Sequence, residues 1–179
     1  MRLFVAIELP DEIKRQLEAM RTHITGSRWV PLEQIHLTLA FLGEVDDATC
    51  DLLTGALATI KASGFNLCFS GTGCFPDRRR PRVLWVGLEP EPLLNSLAFL
   101  VRKAVLGCDI PQEERSFFPH ITLARLKFPD PGEVAAFLDQ PRIQRLPQVN
   151  VREFVLFQSL LTPQGAVHTP VQTFALAPP

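Results

Sequence analysis

The chain has 179 residues and a mass of 20.0 kDa, enough for one domain or two small lobes sharing a core and too little for two ordinary domains plus a linker. Hydrophobic residues make up 46% and charged residues 21%, close to the globular average, which excludes disorder as the main theme. A net charge of -1 and a pI near 6.4 exclude a protein that coats DNA by bulk positive charge, although a local basic site stays open.

Leu3 to Leu9 is an apolar run ended by Pro10 and reads as a buried strand. Glu8 interrupts it and no small-residue cleavage site follows, so it does not read as a signal peptide. Asp11 is the expected cap of a helix whose stripe is Ile13, Leu17, Met20 and Ile24, with Gly26 at its end. Gln34 to Phe41 reads as a strand closed by Gly43. Asp46 or Asp47 then caps a second helix with Leu52, Leu53, Ala56, Leu57 and Ile60 inward. A strand is expected from about Phe65 to Phe69. Pro76 to Arg82 holds the one charge run and reads as an exposed loop. Val83 to Leu88 is the next strand, and Leu93, Leu97, Leu100, Val101 and Ala104 share a helical face. His120 to Leu126 reads as a strand. Asp130-Pro131 opens a short helix with Val134, Phe137 and Leu138 inward. Val149 to Phe157, Ser159 to Thr162 and Val171 to Leu176 read as further strands, with Gln164-Gly165 turning between the last two.

No run approaches the roughly 18 apolar residues of a membrane helix, so no membrane association is expected. Cys50, Cys68, Cys74 and Cys108 form no C-x-x-C pair. Four free thiols fit a reducing compartment, and the expected location is the cytoplasm.

Each half reads strand, helix, strand, helix, strand, and the halves share a phrase. His36-Leu-Thr-Leu-Ala-Phe-Leu recurs as His120-Ile-Thr-Leu-Ala-Arg-Leu, 84 residues later. A tandem duplication with a two-fold-like arrangement explains this more economically than chance. Side chains alternate along a strand, so His36 and Thr38 share one face, as do His120 and Thr122, with leucines and Ile121 behind them. If the halves face each other, two imidazoles and two hydroxyls surround one cleft suited to a tetrahedral anion such as phosphate. One neutral histidine can take a proton from an attacking group while a protonated one serves the leaving oxygen. Arg125 follows the second motif directly and is the best arginine for developing charge on phosphate oxygens. Simple alternation puts it on the wrong face, so it reaches the cleft only where the strand bulges or ends.

A lone histidine in a strand is more often a packing or surface residue than a catalyst; the repetition is what singles out this pair. Zinc is the rival reading, but neither motif offers a carboxylate or a clear third ligand, a poor catalytic zinc site. His23, at a helix end, and His168, near a turn, both read as solvated. Trp29, Trp85, Phe117 and Phe118 read as packing residues. Arg78, Arg79, Arg80 and Arg82 are candidates for gripping an RNA backbone, against the plainer reading of a solvated loop.

The stretches Arg2-Leu-Phe-Val-Ala-Ile-Glu-Leu-Pro, Trp29-Val-Pro, His36-Leu-Thr-Leu-Ala-Phe-Leu-Gly, Arg82-Val-Leu-Trp-Val-Gly and Phe118-Pro-His-Ile-Thr-Leu-Ala-Arg resemble the RNA 2',3'-cyclic phosphodiesterases, also called 2'-5' RNA ligases, of the two-histidine phosphoesterase superfamily. The resemblance runs along nearly the whole chain. It implies a single bilobal α+β domain over residues 1–179, with pseudo-two-fold lobes, each an antiparallel sheet with outer helices, and a groove between them. It implies hydrolysis of RNA or nucleotide 2',3'-cyclic phosphate ends to a 2'-phosphate, with a possible reverse 2'-5' ligation and no metal or organic cofactor; a monomer is expected. His36 then looks like the acid for the leaving 3' oxygen, His120 like the activator of water, and Thr38, Thr122 and Arg125 like phosphate holders. The chain departs from the family in one place. An aromatic residue, commonly Tyr, often follows the glycine of the last hairpin, where this chain reads Gly165-Ala-Val-His168. The rival readings are a relative acting on 2'-5' oligoadenylates or a cyclic ADP-ribose phosphate, and a nucleotide- or RNA-binding module without turnover.

Overall fold

The computed structural model describes residues 1–140 and 146–179. In chain order the elements are β1 (Arg2–Glu8), α1 (Asp11–Glu18), β2 (Ser27–Trp29), a 3-10 turn (Leu32–Gln34), β3 (His36–Glu44), α2 (Asp47–Ala58), β4 (Phe65–Leu67), β5 (Phe69–Phe75), β6 (Val83–Leu88), α3 (Pro92–Gly107), β7 (His120–Leu126), α4 (Pro131–Leu138), β8 (Val149–Val151), β9 (Glu153–Thr162) and β10 (Gly165–Ala175). Two four-stranded antiparallel sheets form two lobes, ordered β10-β9-β1-β3 and β2-β7-β6-β5, and β4 pairs with β8 as a separate ladder. The fold is the expected bilobal α+β arrangement.

The lobes are not simply the two halves of the chain. β2, from the first half, crosses to the edge of the second sheet beside β7, and the C-terminal β9–β10 hairpin completes the first sheet beside β1. Gly26 makes the crossing possible: it sits at φ +75°, and a Cβ there would collide with the Lys127 carbonyl. The stripe Ile13, Leu17, Met20, Ile24 therefore does not mark one long helix. α1 ends at Glu18, and Ile24 is buried from the turn that follows. Asp11 is the first helical residue rather than the cap; Pro10 holds that position with no side-chain bond.

Other boundaries follow the chemistry of the ends. The Asp46 carboxylate accepts from the Thr49 N–H at 2.8 Å, and Asp130 accepts from the Gly132 and Glu133 N–H groups at the start of α4. Gly43 lies inside β3 at φ +70° rather than closing it. In α2 the buried residues are Cys50, Leu53 and Leu57, while Leu52 is exposed. In α3 they are Leu94, Leu97, Ala98, Val101 and Val105, with Leu93 exposed. The apolar surplus of both helices blurred which edge of the stripe faces inward. The expected strands after β4 and before β10 resolve differently too: Phe69–Phe75 is a strand of its own, and Glu153–Thr162 runs through as one.

One continuous core joins both lobes and helices α1 to α4. Leu37, Leu84, Leu97, Ile121 and Leu156 are each fully enclosed. Burying a side chain of that size stabilises by about 1.5–3 kcal/mol, so the strands that carry the two motifs are anchored firmly from behind.

Candidate active site

The two His-x-Thr strands, β3 and β7, adjoin across the groove between the lobes. Each breaks its alternation at the same point. Against β1, Ala40 pairs with Val5 and Thr38 with Ala6, so Leu39 is an extra residue. Against β6, Ala124 pairs with Leu84 and Thr122 with Trp85, so Leu123 is the extra one. A bulge of one residue shifts the parity of everything beyond it. His36, Thr38 and Phe41 consequently share the groove face, opposite Glu8, Ala6 and Phe4, while His120, Thr122 and Arg125 share it opposite Gly87, Trp85 and Val83. The bulge resolves the difficulty with Arg125: it lies on the face of His120.

Phe41 is the residue that reading the sequence missed. It is the counterpart of Arg125 in the other lobe and is 66% exposed on the groove face. The signal was present. Buried positions run Leu37, Leu39, then Ala40, Leu42, and in the repeat Ile121, Leu123, then Ala124, Leu126. Two adjacent apolar residues inside an alternating strand announce the change of parity.

His120 Nδ1 lies 2.7 Å from the carbonyl of Phe118. A carbonyl only accepts, so Nδ1–H donates, and Nε2 of the neutral ring keeps its lone pair. The carbonyl of Gln34, again two residues before the histidine, acts on His36 in the same sense and favours its charged form. Phe75, Phe118 and Trp85 surround His120 with ring centroids at 4.9, 6.3 and 6.4 Å. Trp85 lies flat over Gly73, where any Cβ would meet the indole. Trp29 packs edge-on against Phe137 at 5.5 Å, away from the groove, and Phe117 packs against the core. Trp85 and Phe118 are thus packing residues, but they pack around His120 at the groove.

His168 is half-buried rather than solvated, contrary to expectation. The β9–β10 hairpin carries it across the first sheet until its ring stands 5.4 Å from that of His36, edge to face, and 4.8 Å from Phe4. Phe4 stacks under His36 at 4.8 Å, so the two imidazoles share one aromatic floor. A cavity of about 270 Å³ opens beside them, lined also by Glu8, Lys14, Glu33 and Phe157. Lys14 is buried and pairs with Glu8 there. This enclosure pushes the pKa of His36 down from 6.5 to about 4, first by burial and then by the positive charges of His168 and, more weakly, Lys14. His120 is also held below its ordinary value, by burial first, with Arg125 adding to the effect and the Phe118 carbonyl opposing it. His168 is lowered by burial and by Lys14. His23 does sit in solvent, 3.7 Å from Glu133.

The arginine run is an exposed loop between β5 and β6, as expected. Asp77 accepts from the Arg79 and Arg80 N–H groups and shapes the turn. Arg78 pairs with Asp139 at the end of α4, at 3.2 Å. Arg79, Arg80 and Arg82 have no carboxylate partner among the described residues. Among the described residues no three His, Cys, Asp or Glu side chains converge as a metal cage, all four cysteines are free, and no helix is long and apolar enough to cross a membrane.

The profile of LigT-like phosphoesterases matches the chain twice, over residues 7–85 and 86–168, one match per His-x-Thr motif. The chain is 32% identical to the RNA 2',3'-cyclic phosphodiesterase of Archaeoglobus fulgidus over 177 residues, covering 97% of this chain and 99% of that protein. Its fold matches the crystal structure of Escherichia coli LigT in apo form with a TM-score of 0.83 and 32% identity, over 98% of this chain and 97% of that one. The structure of the same Escherichia coli protein complexed with 3'-AMP matches with a TM-score of 0.79 at 31% identity, over 98% and 97% of the two chains.

Proposed function

The chain belongs to the LigT-like phosphoesterase family, and on that premise we propose that it hydrolyses 2',3'-cyclic phosphate ends of RNA or nucleotides, leaving a 2'-phosphate, with His36 and His120 as its acid and base. The observation that carries this reading is the pair of equivalent bulges, which line up His36, Thr38 and Phe41 in one lobe with His120, Thr122 and Arg125 in the other. The relatives' activity and the nucleotide bound by the Escherichia coli protein support it.

His120 is suited to be the base. Its Nδ1–H is committed to the Phe118 carbonyl, so Nε2 is the atom that takes a proton from the attacking water. His36 is suited to be the acid once substrate arrives. Before substrate binds it is neutral at pH 7, because its surroundings hold its pKa near 4. A phosphodiester anion beside it favours the imidazolium, and the ring then protonates the departing 3' oxygen. Water attacks phosphorus, the P–O3' bond breaks, and the proton taken by His120 balances the one given by His36. Thr38, Thr122 and Arg125 hold the non-bridging oxygens as charge develops on them. Phe41 offers its exposed ring to the terminal base, a contact that tolerates any sequence because every base has a π-face. With a 5'-hydroxyl in place of water and the acid and base unchanged, the same groups join RNA ends: His120 takes the hydroxyl proton, the oxygen attacks phosphorus, and the P–O3' bond breaks as His36 protonates the 3' oxygen, leaving a 2'-5' bond. The exposed arginines of the β5–β6 loop serve longer RNA by contact with its backbone.

The test is direct. A short RNA with a 2',3'-cyclic end is incubated with the protein and the product isomer identified. A 2'-phosphate is expected; a 3'-phosphate would reverse the roles of the two oxygens, and no turnover would overturn the reading.

A further inference from the structure

We propose that Arg28 forms a second phosphate subsite at the end of the groove, taking the phosphodiester that precedes the cyclic phosphate in an RNA end. The proposal deepens the cyclic-phosphodiesterase reading and rests on it. It begins from the strand crossing. β2 has three residues, and its central one, Arg28, stands directly opposite Arg125 in the β2–β7 ladder. Directly opposed residues of an antiparallel pair share a face, so Arg28 points to the groove side with Arg125, His120 and Thr122. Its neighbour Trp29 points the other way, onto Phe137 of α4, and that packing fixes the orientation of the strand.

Two arginines opposed across a ladder repel each other, and such a pair calls for an anion. Neither Arg28 nor Arg125 has a carboxylate partner among the described residues, whereas Arg21, Arg78 and Arg115 each do. Both are exposed. The turn that faces Arg28, Thr162 to Gly165, contains no acidic residue. The β9–β10 turn, Thr162-Pro163-Gln164-Gly165, reaches over from the other lobe until the Cβ position of Gly165 is 3.9 Å from Arg28 Nη2. Gln34 holds that turn in place by donating to the Ala166 carbonyl at 2.5 Å. Arg28 therefore stands between a groove strand of one lobe and a clamped hairpin of the other.

One tetrahedral anion is already provided for by Thr38, Thr122 and Arg125. A second guanidinium directly across the ladder, on the neighbouring strand, suits a second phosphate on the same strand of nucleic acid, and planar guanidinium groups favour phosphate oxygens. A mononucleotide lacks that group. Arg28 would thus let the enzyme tell an RNA end from a free cyclic nucleotide without reading any base.

The experiment compares a 2',3'-cyclic mononucleotide with a dinucleotide bearing the same cyclic end. Wild-type protein, Arg28→Gln, Arg28→Lys and Arg125→Gln are used, each checked for folding by circular dichroism. Arg28→Gln is expected to lower kcat/KM for the dinucleotide by about tenfold, the usual order for a charge-assisted phosphate contact. The loss falls in KM, and the mononucleotide changes by less than about twofold on the same reasoning. The salt slope for dinucleotide binding should flatten by a little under one unit. Arg28→Lys should recover part of the loss, and Arg125→Gln should lower both substrates. Equal loss on both substrates, or none on the dinucleotide, overturns the proposal. A binding arm separates it from the activity. By calorimetry, Arg28→Gln should weaken a dinucleotide carrying a terminal phosphate and leave 3'-AMP unchanged. If the wild type turned over neither substrate, the cyclic-phosphodiesterase reading would fall while this arm still decided the subsite.

Discussion

His168 offers the sharpest perturbation of the proposed acid. Its ring is 5.4 Å from that of His36 above the shared Phe4, and it is the second cause, after burial, of a pKa held near 4 rather than 6.5. As pH falls, a charged His168 makes a second positive charge at His36 unfavourable. Replacing it with glutamine removes that charge and keeps a polar group of similar reach, so the pKa of His36 should rise. At 5.4 Å, two unit charges interact by about 0.8 kcal/mol at the dielectric of water and about twice that at half the dielectric, or roughly 0.5–1 pKa unit. Burial, the larger cause, is untouched, so the value should stay below 6.5. A titration of the imidazole resonances by NMR reads the shift at His36 directly and should show His120, in the other lobe, unmoved. Because the acid must carry its proton, kcat/KM on the alkaline side of the profile should rise in parallel. A His36 midpoint that stayed within about 0.2 unit of wild type, or fell, would refute the coupling.

Four further outcomes are expected. His36→Ala and His120→Ala should each cost turnover by roughly 10²–10⁴-fold with the fold intact, as read by circular dichroism and hydrolysis of a cyclic-ended RNA. Phe41→Ala should lower kcat/KM on cyclic nucleotides by roughly tenfold, the lower end of what one base-stacking platform supplies, and unaltered kinetics would remove Phe41 from the site. Stability should also depend on pH through His36. Its folded pKa lies below its unfolded one, so its contribution is present above about pH 6.5 and is lost as pH falls toward 4; the full span amounts to at most about 3 kcal/mol. Urea melts at pH 7 and 4.5 should therefore diverge less for His36→Gln than for wild type, and equal divergence would contradict the buried neutral ring. Neutralising Arg79 and Arg80 together should weaken binding of long RNA and flatten its salt slope by roughly one to two units while leaving cyclic mononucleotide turnover in place.

The His-x-Thr repeat was legible in the residues alone because a strand's alternation is a local property. Once β3 and β7 are strands, Thr38 must follow His36 onto the same face, and Thr122 must follow His120. The capping aspartates Asp46 and Asp130 were legible for the same reason: they act on N–H groups within three residues of themselves. Tertiary structure decided everything that depended on a partner strand. Arg125 and Phe41 reach the groove only because ladders with β6 and β1 skip Leu123 and Leu39. His168 comes to His36 from 132 residues away because β9 pairs with β1, and Arg28 meets Arg125 because β2 leaves its own half for the other sheet. Side-chain parity is written in the local sequence. Which strand lies alongside is set by which apolar faces can be buried together, and that choice is made only when the whole chain closes on one core.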